Sequence, residues 1–138
     1  MAVSAFLADS LQKAVFSVLK ANTALMARLD GVYDRPPSGR GGVYAIFGGV
    51  ATSQYDVSDR LGTQISFTIS LWSEEISQIE VHELMAMIDA CLQSGKLQIQ
   101  GGELHRLTFQ NASVDRSYYN AASQLNGRMT YRATVFAR

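Results

Sequence analysis

The segment Val81-His82-Glu83-Leu84-Met85-Ala86 opens as a zinc peptidase helix opens, with a histidine followed directly by a glutamate. That chemistry needs a second histidine four residues after the first. Both imidazoles then leave one helical face toward a single zinc, and the glutamate activates the bound water. Position 86 is alanine, so the motif is incomplete. The chain contains only two histidines, His82 and His105. A metal site built from His82, Glu83 and His105 requires the strand carrying His105 to reach the outer face of the helix, and solvated or interfacial histidines are the simpler reading. The acidic pairs Glu74 with Glu75 and Glu80 with Glu83 lie near a helix start, where the helix dipole favours carboxylates without any catalytic role.

Other chemistries lack their parts. No serine sits in a G-x-S-x-G elbow, the turn that exposes a nucleophile above a sheet. The glycines of SGRGG and FGGVAT come without a P-loop lysine or a dinucleotide fingerprint, and read as turn and bulge glycines. Cys91 is the only cysteine. It falls on the apolar side of its helix and reads as a small buried hydrophobe rather than a reactive thiol. Tyr118 and Tyr119, beside Arg116, could stack on bases, but base stacking wants a basic surround. An anchor for a protein partner suits them better. No catalytic, cofactor-binding or metal-ligating residue is assigned, and no cofactor is expected.

The composition agrees with that negative result. The chain has 138 residues, 47% of them hydrophobic, with 12 basic and 12 acidic side chains. This predicts one domain over residues 1–138 with a core of ordinary size and no polyanion-binding excess of charge. Nine arginines against three lysines favour planar, hydrogen-bonded contacts at interfaces. No signal peptide or bilayer-spanning segment is read, which predicts a soluble protein made in a reducing cytoplasm.

The elements that must position these residues follow from periodicity. Leu7, Leu11, Ala14, Val15 and Val18 share one stripe of a helix from about Ser4 to Ala21, with Ser4 as its cap. A further helical turn carries Leu25, Met26 and Leu29, and Gly31 ends it. GVYDRPPSGRGG then predicts a projecting loop. VYAIFGGVAT, residues 43 to 52, reads as a strand with a bulge at its glycines. Ile65, Phe67, Ile69 and Leu71 alternate with Gln64, Ser66, Thr68, Ser70 and Trp72, which makes TQISFTISLWS a strand with one core face and one polar face.

A second long helix starts between Ser73 and Ser77, with Ser77 and Glu80 at capping-box spacing. Val81, Leu84, Met85, Ile88, Cys91 and Leu92 form its core stripe, leaving Ile76, Ile79, Ala86, Met87 and Ala90 as a second apolar flank. Phe6 and Phe16 fall similarly among Asp9, Lys13 and Lys20 on the first helix. These flanks fit a protein contact, and scattered surface hydrophobes would explain them equally. GKLQIQGG and ELHRLTFQNASV read as two strands of a hairpin, DRSYYNAASQLNG as a loop, and RMTYRATVFAR as a final strand with one polar face. The fold expected is α+β, a largely antiparallel sheet with two main helices packed on one face, in the order α-β-β-α-β-β-β.

One local pattern goes further. TISLWS leads directly into EEISQIEVHELMAMIDACL; LDGVYDRPP precedes it after an N-terminal helix, and RMTYRATVF closes the chain. This arrangement resembles the tail-completion or tail terminator proteins of long-tailed phages and of phage-derived gene transfer agents. The resemblance implies a structural protein rather than an enzyme. It would form a ring, hexameric in that family, that caps the tail tube, stops its elongation and joins the tail to the head. The implied partners are copies of itself, the tail tube protein and the head connector or stopper protein, with DNA passing through the lumen without specific binding and no membrane. On that reading the protein is made in the bacterial cytoplasm and assembled at the top of the tail. Phe6, Phe16, Ile76, Ile79 and Met87 are the candidate contacts between subunits, and the loop residues Arg35, Arg40, Asp56 and Arg60 the candidate contacts to tube or connector. Another neck, connector or tube protein is the neighbouring alternative; a small-molecule-binding α+β module and a metal-dependent hydrolase using His82 are the distant ones.

Overall fold

The computed structural model describes residues 7–34, 42–73, 77–94, 97–119 and 122–137. Helix α1 (Ala8–Ala21) and the single turn α2 (Thr23–Met26) precede strands β1 (Gly31–Tyr33), β2 (Val43–Gln54) and β3 (Gly62–Ser73). Helix α3 (Gln78–Ser94) follows, and β4 (Gly102–Tyr119) and β5 (Ala122–Ala137) end the chain. The sheet order is β1-β2-β3-β5-β4, with β1 parallel to β2 and every other pairing antiparallel. The fold is α+β, as expected from the sequence.

Local chemistry accounts for the element ends. The Asn22 side chain accepts from the Leu25 amide at 3.0 Å and starts α2. Ser77 does the same for α3, its hydroxyl accepting from the Glu80 amide at 3.2 Å. The Ser4 cap proposed for α1 lies outside the described residues. Asp30 joins β1 to β2 by accepting the Val43 amide at 2.9 Å, beside Gly42 at φ 101°, a backbone conformation that L side chains rarely adopt. Gly49, at φ 60°, sits in the predicted bulge of β2, where the register against β3 shifts between Gly48 and Ala51.

The core lies between the two long helices and one face of the sheet. Leu11, Ala14, Val15 and Leu19 of α1 are buried, as are all six residues of the core stripe assigned to α3. Beneath them an aromatic row crosses the sheet. Phe47 stacks on Phe67 at 5.0 Å between ring centroids and Phe67 on Tyr131 at 5.5 Å, while Phe109 meets Tyr131 edge-on at 5.7 Å. Rings of this size dominate core energetics, each contributing about 1.5–3 kcal/mol when fully buried.

Three local expectations are corrected. Residues Leu97 to Gln100 form no strand, although Leu97 and Ile99 are buried and Gln98 and Gln100 exposed. Alternating burial reports an extended backbone with one covered side, and this segment has that without a ladder partner. Second, the supposed loop from Asp115 to Gly127 is the far end of the β4–β5 hairpin, paired from Asp115 with Asn126 to Tyr119 with Ala122. Third, the start of the projecting loop, Gly31–Tyr33, is a short strand paired with Tyr44 to Ile46.

Candidate assembly surfaces

The expected site residues fall into three groups. Phe6, Ile76, Arg35 and Arg40 lie outside the described residues. Ile79, Phe16 and Met87 are on the helices. Ile79, near the start of α3, is 70% exposed, the most exposed large hydrophobic side chain described. Phe16 is half-buried, at the margin between the core stripe and the polar side of α1 to which the wheel assigned it. Its ring meets Phe47 edge-on at 6.0 Å, with the Lys20 ammonium 5.4 Å from its centroid. A wheel measures direction around one helix, and here the sheet extends far enough to receive a residue at the stripe's margin. Met87 is half-buried; its sulfur accepts from Arg28 Nη1 at 3.6 Å, and Arg28 Nη2 lies 3.3 Å from Glu83.

Asp56 and Arg60 occupy the β2–β3 connection and have local partners. Asp56 Oδ1 accepts the Gly62 amide at 2.9 Å and Oδ2 accepts from Gln54. These hydrogen bonds favour the ionised form and hold the carboxyl below its usual range. Arg60 pairs with Glu103 at 3.1 Å and lies over the Phe136 ring at 4.7 Å. Tyr55 and His105 complete the surround of that ring, at 6.3 and 5.5 Å. Asp56 shapes the turn, and Arg60 clips it to β4.

The two histidines do not meet. His82 is exposed on α3, whereas His105 packs on Phe136 across the sheet from the helices. Among the described residues no group of three His, Cys, Asp or Glu side chains is placed to hold a metal ion. Cys91 is buried, and its thiol donates to the Val18 carbonyl at 3.4 Å. No described helix is long and apolar enough to cross a membrane.

Sequence reasoning missed one apolar cluster. Val50, Tyr55, Val57 and Leu61 are each between 42% and 44% exposed, all at the β2–β3 end of the sheet. Their signal was present as Tyr55, Val57 and Leu61 inside a connection otherwise read as polar, with Val50 at the bulge of the strand before it. The sheet also ends in two unlike open edges among the described residues. β4 is paired only through β5, and β1 covers β2 only from Tyr44 to Ile46, so the outer side of Phe47 to Gln54 has no partner strand.

The two open edges, the exposed start of α3 and the apolar β2–β3 end are the candidate surfaces for association. The comparisons with known proteins identify the setting. Residues 13–135 match the family model described as tail completion protein gp17. The chain belongs to that family. Among solved structures, a chain in a virion of a native gene transfer agent particle superposes with a TM-score of 0.84 at 26% identity, covering 97% of this chain and 100% of that one. A bacteriophage SPP1 gp17 protein structure superposes with a TM-score of 0.61 at 16% identity, covering 94% and 89%, and shows the shared fold. A search of curated proteins gives no match. Tail completion is a structural role in a phage-like particle.

Proposed function

We propose that this tail completion protein forms a ring on the end of the finished tail tube, stops its elongation and joins the tail to the head connector. The family match over nearly the whole chain carries this reading. The full-length likeness to a chain of a gene transfer agent virion supports it and favours a particle of that kind. In such a particle the partners are copies of this chain, the tube protein and the connector protein, with six copies in the ring. A closed ring of head-to-tail contacts needs two different complementary patches on each subunit. The unlike edges of β4 and β2 supply a candidate pair, with Ile79 and the half-buried Met87 as an apolar contribution from α3. Asp56 and Arg60 shape the β2–β3 connection, whose Tyr55, Val57 and Leu61, with Val50 of β2, are the candidate contact to tube or connector.

Electron microscopy of particles made without this protein tests the proposal. Overlong tubes, or complete tails unattached to heads, are the expected result. Normal particles in its absence would remove the function.

A further inference from the structure

The side of the sheet turned away from the helices has a charge pattern that the net neutrality of the chain conceals. Strands β2, β3 and β5 contain no acidic residue, while β5 places Arg128 and Arg132 on this face, both exposed. Four residues along one strand separate them by about 13 Å. Arg106 of β4 pairs with Thr134, and Arg132 with Thr108, so Arg106 and Arg132 are diagonal neighbours, about 7–8 Å apart. None of the three arginines has an ion-pair partner among the described residues, whereas Arg28 pairs with Glu83 and Arg60 with Glu103. The carboxylates that β4 brings to this side are Glu103, neutralised by Arg60, and Asp115, toward the hairpin end opposite Asn126.

The arginines border two hollows. One, of about 240 Å³, is lined by Arg106, Arg132, His105, Gln64, Thr108 and Thr134 together with Tyr55 and Gln110. The other, of about 270 Å³, lies where Gly48 and Gly49 leave the surface without side chains, and is bordered by Arg128, Thr68, Ser70 and Ile46. Neither has a carboxylate in its lining. Gly49 is required there for two reasons, its φ of 60° and a neighbour, Thr68 Oγ1, only 3.2 Å from where a Cβ would stand.

We propose that this open sheet face is a sequence-independent contact surface for the phosphate backbone of double-stranded DNA. Arginine with serine, threonine and amide side chains is the set that holds phosphate oxygens, and such contacts position a duplex without reading its bases. An acidic protein segment is the less suitable occupant. Tight protein contacts are anchored by buried aromatic side chains, and the middle of this face, from Ser66 to Ser70 and Arg128 to Arg132, offers hydroxyls and guanidinium groups only. Two acid-free hollows along one face suit a ligand with repeated charge better than a single small anion. Three arginines per subunit give weak, salt-labile contact, compatible with a duplex that must slide past. The place of this face around a DNA path rests on the ring proposed above; the affinity for duplex does not.

The test couples the protein densely to a support, so that neighbouring copies act together, and passes labelled duplex of mixed sequence over it at about 50 mM salt. Retention independent of sequence is expected, with release on a modest rise in salt. The R106Q/R128Q/R132Q variant should lose retention with an unchanged thermal melt, while K13Q/R28Q on the helix side should keep it. Failure of the unsubstituted protein to retain duplex, or unchanged retention by the triple variant, would overturn the proposal. So would retention of polyglutamate in place of duplex, which would assign the face to an acidic protein segment. Loss of duplex retention leaves the tail phenotype standing, and normal tails without the protein leave the duplex result standing, so the two failures are distinct.

Discussion

Tyr131 ties the sheet to α3 through a single hydroxyl. Its ring is fully buried between Phe67 and Phe109, and its oxygen donates to Asp89 Oδ1 at 2.7 Å. Burial first, then the hydrogen bond and charge of Asp89, push its ionisation far above the ordinary tyrosine value of 10.0. A group whose pKa is raised by folding stabilises the native state below its unfolded pKa and loses that contribution as pH rises beyond it. Thermal melts should therefore fall more steeply above about pH 10 for the native protein than for Tyr131→Phe. At neutral pH that variant should cost about 1.5–3 kcal/mol, the range for a hydrogen bond to a charged group. Asp56 has the opposite sign. Its carboxyl is depressed by the Gly62 amide and Gln54, so the contribution is present above the unfolded value near 3.8 and is lost as pH falls through the lower folded value. Asp56→Asn should melt below the native protein at neutral pH and converge with it in acid, as circular dichroism melts at a series of pH values would show.

At the scale of elements, α3 comes close against the sheet at Gly127. A Cβ there would stand 2.7 Å from Met85 Sδ and 2.8 Å from Val81 Cγ1. Methionine can move aside, but the β-branched valine is stiff, so Gly127→Ala should destabilise the fold by about 1–3 kcal/mol in denaturant titration. The core stripe of α3 and the alternation of β3 were legible beforehand because each buries one side against a single neighbour, and period then reports burial directly. The far end of the β4–β5 hairpin was not. Asp115 and Arg116 are chain neighbours and both exposed, so the alternation that reads as a strand up to Val114 stops there although the pairing continues. Backbone pairing runs through that arm as far as Tyr119 and Ala122, and hydrogen-bonded register leaves little trace in side-chain type. The Leu97–Ile99 segment is the converse case, where alternation exists without pairing. The arginine face was hidden for a related reason. Arg128 and Arg132 share the polar face of one strand, but Arg106 lies on another, and only the β4–β5 register brings it beside them.

At the scale of the whole molecule, closure of the proposed ring would make a defective copy count for more than its share. Ile79→Asp should leave the isolated subunit folded, because the side chain is 70% exposed and a carboxylate in the first turn of α3 is favoured by the helix dipole. The thermal melt should stay within about 0.5 kcal/mol of the native protein. A copy with one spoiled patch can still join a growing arc through its other patch, and the arc then cannot close. Co-production of the variant with native protein should therefore deplete finished particles far below the native fraction. If each ring has six copies and one defective copy is enough to block it, equal amounts of the two leave about one ring in sixty intact. A steep, power-law loss measured by counting joined particles against the mixing ratio would support ring closure through the α3 flank, and its exponent would give the copy number. A linear loss would mean that copies act independently. An unfolded Ile79→Asp subunit would place Ile79 in the core and shift the contact to the β2 and β4 edges.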